Sequence, residues 1–309
     1  MTPDLSIVIV THNARQVLAD CLRSISLQPL PHAYEVLVVD NDSRDGTETM
    51  LAAEFPWVTV LVNTSNLGFA RACNQAMRRS GAEFLLLLNN DTLVEAGAFE
   101  ALVSFMRAHP RTGICGPKVL NADGTLQKQC RRSFALPWDL FCYFTGLAAL
   151  FPRSGLFARY LMTYMDEDET HEADAISGAC MLIRRAVIDQ VGYLDEQFFA
   201  YQEDADVCFR ARQAGWQVHY VPAARVVHLG GMGGSRVDPY RSIFEWHRSY
   251  FIYYRKNLAR RYFFLFNWVY YLAMAAKLLV SLGVNLFRRD KYAGSSKPSR
   301  GREVPGPSA

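Results

Sequence analysis

The stretch Glu83-Phe84-Leu85-Leu86-Leu87-Leu88-Asn89-Asn90-Asp91-Thr92 decides the fold. Four consecutive leucines make a short apolar run of the kind a strand shows when both of its faces are covered. The run stops at Asn-Asn-Asp-Thr, so a buried strand here delivers a polar cluster, with the carboxylate of Asp91, to the carboxyl edge of a sheet. Open α/β folds bind their ligands at that edge. The same residues also fit a plain strand followed by an Asn/Asp turn, and the choice between the two rests on partners elsewhere in the chain.

Three strand–helix units precede this stretch. Residues 5–11 are a β-branched run ending in Thr11, His12 and Asn13. The helix that follows places Val17, Leu18, Cys21, Leu22 and Ile25 on one face, with Asn13 as its expected N-cap. Residues 34–40 form a second strand, ending at Asp40 and the loop Asn41-Asp42-Ser43-Arg44-Asp45-Gly46-Thr47. Residues 58–63 form a third, leading through Asn66-Leu67-Gly68 into a helix over 69–80. Strands alternating with helices predict a parallel, right-handed α/β sheet.

Neither G-x-G-x-x-G nor G-x-x-x-x-G-K follows any of these strands, which disfavours dinucleotide and P-loop chemistry. The strand ends carry instead residue types suited to a nucleoside and its ribose: Thr11, Asp40, Asn66 with Arg71, and Asn90. Asp40 can accept from a pyrimidine N–H or a ribose hydroxyl, and it fits an Asx turn equally well. Arg71, one turn into its helix, can reach a phosphate.

Beyond the leucine strand a helix over 95–109 closes at Pro110, and a short strand over 114–120 turns at 121–124. Residues 131–170 read as an irregular, partly helical insertion over the acceptor side of the cleft, touching a membrane or packing as a plain core helix. Order returns with Ile176-Ser177-Gly178-Ala179-Cys180, a turn into a buried strand. In Tyr201-Gln202-Glu203-Asp204-Ala205-Asp206 three acids open a helix that Gly215 closes. Acids in a first turn complement the helix dipole, and Asp206 with Arg210 makes an i,i+4 pair expected on a solvated face. Glu203 beside Asp204 is also a like-charge pair behind the apolar Phe198, Phe199 and Tyr201, a setting that can tune a carboxylate as general base. Two short strands, 216–222 and 225–228, end at His228. The glycine-rich run 230–234 follows, so imidazole and backbone N–H groups can meet an anion–metal pair together.

Val39-Asp40-Asn41 with Ser43, Asn66-Leu67-Gly68-Phe69-Ala70-Arg71, Leu88-Asn89-Asn90-Asp91, Ser177-Gly178-Ala179, Tyr201-Gln202-Glu203-Asp204 and His228-Leu229-Gly230-Gly231-Met232 together resemble family two glycosyltransferases, more narrowly their bacterial rhamnosyltransferase-type members. The resemblance covers residues 5 to about 250 in order. It implies a GT-A fold, a mostly parallel nucleotide-binding sheet with flanking helices. It further implies a nucleotide-diphospho-sugar donor, a divalent ion (Mg²⁺ or Mn²⁺) and inversion at the anomeric carbon. By the same resemblance Asp91 is the metal-binding acid, His228 a second ligand and Asp204 the base, with Glu203 beside it. Two positions depart from the pattern. Asn89 stands where the first acid of D-x-D is usual, and Ala175 stands where relatives often carry an aromatic wall of the sugar pocket.

The C-terminal end differs in composition. Residues 262–271 hold seven aromatics, and the run continues apolar to 287 with Lys277 as the only charge. Length allows a span, but a mid-segment lysine and basic flanks favour a helix lying in, or re-entering, a membrane interface. The chain therefore reads as a glycosyltransferase domain over 1–257, a membrane-associating segment over 258–287 and a disordered basic tail over 288–309. That tail holds six Lys/Arg against two Asp/Glu, so of the net +3 the rest of the chain carries −1, which argues against nucleic acid as a partner.

Seven cysteines without a C-x-x-C pair read as buried thiols of a reducing compartment, and Asp4 interrupts any N-terminal leader. The expected placement is the cytoplasmic face of the inner membrane, acting on a cell-envelope glycan or lipid-linked acceptor. A catalytically inactive sugar-nucleotide scaffold is the competing class. A sugar nucleotidyltransferase would need an early glycine-rich triphosphate loop that the sequence lacks.

Overall fold

The computed structural model describes residues 3–28, 33–230 and 239–287. The leucine strand lies at its centre. β1 (Leu5–Thr11), β2 (Tyr34–Asn41), β3 (Thr59–Asn63) and β4 (Phe84–Asn89) are joined by α1 (Arg15–Ser26), α2 (Thr47–Glu54) and α3 (Phe69–Arg79). All four strands are parallel, in the order β3-β2-β1-β4. The chain runs outward from β1 to β3 and returns to β4 on the other side of β1, so the strand order reverses beside β4, where such sheets open a cleft. Leu85 to Leu88 are at most 1% exposed. Covering both faces is what an unbroken leucine run requires.

The second half of the sheet is mixed. β5 (Thr92–Val94), α4 (Ala98–Ala108) and β6 (Thr112–Leu120) lead to the two-residue β7 (Arg131–Arg132). The insertion holds α5 (Pro137–Phe144) and α6 (Leu147–Leu150), and β8 (His171–Glu172) and β9 (Ala175–Ile176) follow. β10 (Cys180–Arg184) then enters antiparallel between β4 and β6. After α7 (Arg185–Val191) and α8 (Glu203–Gln213), β11 (Gln217–His228) pairs parallel with β6 and antiparallel with β5. The two short strands expected over 216–228 are one strand, bulged between Val221 and Arg225 around Pro222, which has no N–H for the ladder.

Asn13 does not cap α1. It has a left-handed φ of 49°, and its side chain accepts from the backbone N–H of Arg44 at 2.7 Å. The N–H of Arg15 is met instead by Asp45 Oδ2 at 2.9 Å, so the loop after β2 supplies the cap. Gly215, at φ 91°, follows α8 in the left-handed conformation that ends helices. α9 (Pro239–Tyr253), a π-helical turn over Tyr254–Leu258 and α10 (Phe264–Phe287) complete the described chain. The glycine-rich residues beyond Gly230 and the basic tail over 288–309 lie outside the described residues.

Candidate active site

Strand register brings the polar strand ends together. Thr11 is paired with Asp40 across β1–β2, and Val10 with Asn89 across β1–β4. Asn90 Nδ2 donates to Thr11 Oγ1 at 3.1 Å, and Asp40 Oδ1 caps the turn below it by accepting from Ser43 N–H at 2.9 Å. Thr11, Asp40, Asn90 and Asp91 are all under 10% exposed. Four polar groups at one buried sheet edge are costly unless they are bonded or await a ligand.

Antiparallel pairing of β5 with β11 sets His228 opposite Thr92, one residue from Asp91. His228 Nε2 lies 3.0 Å from Asp91 Oδ1, and Asn89 Nδ2 lies 3.1 Å from the same nitrogen. The other ring nitrogen, Nδ1, is 2.8 Å from Gln127 Oε1. Since Oε1 only accepts, Nδ1 carries a proton, and in the neutral ring Nε2 presents its lone pair. A lone pair and a carboxylate oxygen at that separation repel unless a proton or a cation lies between them. A carboxylate with an imidazole oriented from its far side is a donor set that suits a divalent ion. Gln127, which fixes the ring, carries no sequence signal of its own.

The base candidate belongs to a second cluster. Asp204 Oδ2 accepts from Gly178 N–H at 3.0 Å, and Oδ1 accepts from Arg132 Nη2 at 2.6 Å. Glu203 is buried beside it, and burial first, then the Asp204 charge, pushes its carboxyl up to about 8. At neutral pH Glu203 therefore keeps its proton, beside the ion pair of Asp204 with Arg132. Tyr201 and Gln202, just before α8, both have left-handed φ values of 68° and 67°. Strain of that kind at non-glycine residues persists where the surroundings impose it. Gln202 Oε1 and Glu203 Oε2 are buried without a hydrogen-bond partner.

One turn joins the two clusters. Ala179 O accepts from Asn89 N–H at 3.0 Å, and the neighbouring Gly178 N–H holds Asp204. Asn66 and Arg71 stand further out. Asn66 Oδ1 accepts from Gly68 N–H at 3.0 Å. Gly68 has φ 85°, and a Cβ at this position would fall 2.5 Å from Phe199 O. No side chain fits there. Phe69 N–H donates to that same Phe199 oxygen at 2.7 Å, tying α3 to the turn that leads into α8. Arg71 Nε pairs with Glu196 Oε2 at 3.2 Å on the surface.

Asp206 departs from expectation. It is fully buried, and besides Arg210 Nε at 2.8 Å it meets Lys256 Nζ at 2.8 Å and Asn257 Nδ2 at 2.9 Å. Its face of α8 is covered by the π-helical turn, so the pair with Arg210 is not solvated. Arg132 has no counterpart among the expected site residues; it reaches Asp204 because β7 pairs with β9, setting Arg132 opposite Ala175. A recess lined by Asp4, Glu83 and Arg184 opens at the amino end of β4, away from all of these groups.

Residues 3–263 match the family model described as glycosyltransferase like family 2. An N-acetylglucosaminyl-diphospho-decaprenol L-rhamnosyltransferase of Mycobacterium tuberculosis is 30% identical over 264 residues, covering 82% of this chain and 84% of that one. A low-salt glycan biosynthesis hexosyltransferase of Haloferax volcanii is 23% identical, covering 82% and 76%. Among solved structures, a mannosyltransferase of Pyrobaculum calidifontis in complex with GDP-Man and Mn²⁺ has TM-score 0.56 at 17% identity, covering 83% and 65%. GalNAc-T7 with UDP, GalNAc and Mn²⁺ has TM-score 0.55 at 16% identity, covering 74% and 43%. These likenesses establish a GT-A-like fold with its central mixed sheet, and among the described residues one C-terminal helix, α10, is long and apolar enough to cross a membrane.

Proposed function

The chain belongs to glycosyltransferase family 2, and from that membership we propose that it transfers a sugar, rhamnose first among the candidates, from a nucleotide-diphospho-sugar to a hydroxyl of a cell-envelope glycan or lipid-linked acceptor, with inversion. The observation that carries this reading is the turn Ser177–Ala179, which binds Asn89 of the Asp91 cluster and Asp204 of the other through adjacent residues. A base and an anion-facing site held by one rigid turn suit a displacement in which both ends of the reacting axis must be fixed.

In that displacement Asp204 takes the proton of the acceptor hydroxyl as its oxygen bonds the anomeric carbon and the nucleoside diphosphate departs with the bond electrons. Arg132 and the Gly178 N–H hold the Asp204 carboxylate in one orientation. Thr11, Asp40 and Asn90 receive the nucleoside, and Arg71 leaves Glu196 for a donor phosphate. Asp91 and His228 would hold Mg²⁺ or Mn²⁺, which supplies neutralisation of the charge gathering on the diphosphate. Among the described residues no third His, Cys, Asp or Glu joins them, so the protein offers few ligands, as hard cations that keep phosphate and water oxygens tolerate.

We place the enzyme at the cytoplasmic face of the inner membrane. In support, α10 has 24 residues with a mean hydropathy of 1.5, and only 11% of its apolar window is buried.

The test is a thermal-shift panel of UDP-, TDP- and GDP-sugars with Mn²⁺. A ligand bound only by the folded state raises the midpoint, and one base should dominate. Asp91→Ala should lose the Mn²⁺-dependent part of that shift while melting as cooperatively as the parent without ligand. A shift that survives Asp91→Ala removes Asp91 from the metal.

A further inference from the structure

α10 is turned the opposite way to a helix closing a water-soluble body. Its polar residues Lys277, Ser281 and Asn285, four apart, face the protein. Lys277 Nζ lies 4.1 Å from the Trp246 ring centroid, 4.5 Å from that of Phe144 and 3.2 Å from His247 Nε2. Ser281 Oγ lies 3.5 Å from the same nitrogen, and Asn285 is only 2% exposed. Its apolar residues face outward, with Leu272 at 68% and Val280 at 64% exposure. The mid-segment charge is thus sheltered by an aromatic cage on the protein side and does not oppose a membrane role for the outer face.

The insertion behaves alike. Phe144 of α5 forms part of the cage under Lys277, while Trp138, Phe141 and Leu150 are 46%, 52% and 72% exposed. Trp138 stacks on Phe141 at 5.7 Å, and Trp138 Nε1 donates to Leu156 O at 3.2 Å. Polar groups turned in and apolar groups turned out, on two adjoining elements, are the reverse of what water selects.

We propose that α5, α6 and α10 form one lipid-facing platform that seats the protein on an anionic bilayer, with the insertion as a second anchor beside the helix. Charge decides for lipid over a second copy of the chain. Arg255, Arg260 and Arg261 are exposed at the foot of α10, so two copies face to face would set like charges together, whereas anionic headgroups complement them. The platform continues into the site: Ser133, next to Arg132, bonds Asp139 of α5, and Tyr160 of the insertion bonds Tyr250 of α9. The inference deepens the membrane part of the proposed function; the lipid contact itself needs neither donor nor acceptor.

The purified full chain is titrated with vesicles of phosphatidylcholine and phosphatidylglycerol, without donor or acceptor. Phe141→Ser with Leu150→Ser, in the insertion, and Leu272→Ser with Val280→Ser, in α10, should each weaken vesicle binding by about tenfold. The melting midpoint and any Mn²⁺-dependent donor shift should be unchanged. Brominated lipid should quench a comparable share of fluorescence through Trp138 and Trp268, read as the loss of quenching in Trp138→Phe and Trp268→Phe. Vesicle affinity indifferent to the insertion pair, or no quenching through Trp138, overturns the platform. A dimer formed without vesicles and dissociated by the insertion pair overturns it in favour of self-association. Failure of the donor shift with vesicle binding intact counts against the sugar-transfer reading alone.

Discussion

Asp204 and Asp206 stand two residues apart on α8, both buried and both paired with arginine, yet they face different parts of the molecule. Asp204 looks toward the sheet edge, where it accepts from one guanidinium, from the backbone N–H of a glycine turn and from the N–H of Ala205. Asp206 looks toward the C-terminal segment, where Arg210, Lys256 and Asn257 enclose it. The difference lies in the kind of partner that surrounds each carboxylate. Asp206 is saturated by long side chains that converge from two elements and serves cohesion. Asp204, bonded to one guanidinium and two backbone N–H groups at the sheet edge, is the one we assign to chemistry.

The sharpest test of that contrast is Asp204→Asn, which keeps the shape and removes the proton acceptor. Turnover should fall about 10²–10⁴-fold with donor affinity within a few-fold. Unchanged turnover would transfer the role to Glu203. Asp206→Asn should do the reverse. It leaves Arg210 and Lys256 without their buried counter-charge, so denaturant unfolding should show a loss of about 3–5 kcal/mol, while activity per folded molecule persists.

A smaller effect separates Glu203 from both. A carboxyl raised in the folded state keeps its proton while the unfolded chain has lost its own, so stability declines as pH rises from the ordinary glutamate range toward about 8. Glu203→Gln should flatten that decline, with the gain over the parent growing to pH 8 and then constant. A parallel pair of pH–stability curves would mean that Glu203 ionises normally.

The smallest effect belongs to Arg71. As an exposed partner of Glu196 it should contribute under about 1 kcal/mol to stability. Arg71→Ala that weakens donor binding without moving the melting midpoint assigns it to the phosphates.

The two acids also mark where sequence reading reaches its limit. The parallel half of the sheet was legible because each strand, its terminal polar residues and its following helix are contiguous, so Thr11, Asp40 and Asp91 could be placed from local pattern. Asp206 was misplaced because an i,i+4 pair with Arg210 looks the same whether water or Lys256 covers it. Arg132 and Gln127 were missed for a related reason. Each reaches the site through pairing between distant segments, β7 with β9 and the turn after β6 with β11, and no local periodicity encodes that. The direction of β10 was hidden too, because a buried five-residue strand reads the same in either sense.

Each of the seven cysteines is free and buried, and burial pushes every one of their thiols up. Alkylation needs exposed thiolate, so in the native state these residues are silent. They are also spread across the molecule: Cys21 lies in α1 beneath Asn89, Cys208 within α8 and Cys142 in α5. The rate at which each takes up a label is therefore a clock for the opening of its own neighbourhood. Ordered by that clock, the cysteines would give a map of local breathing, read from the unmodified chain by mass spectrometry.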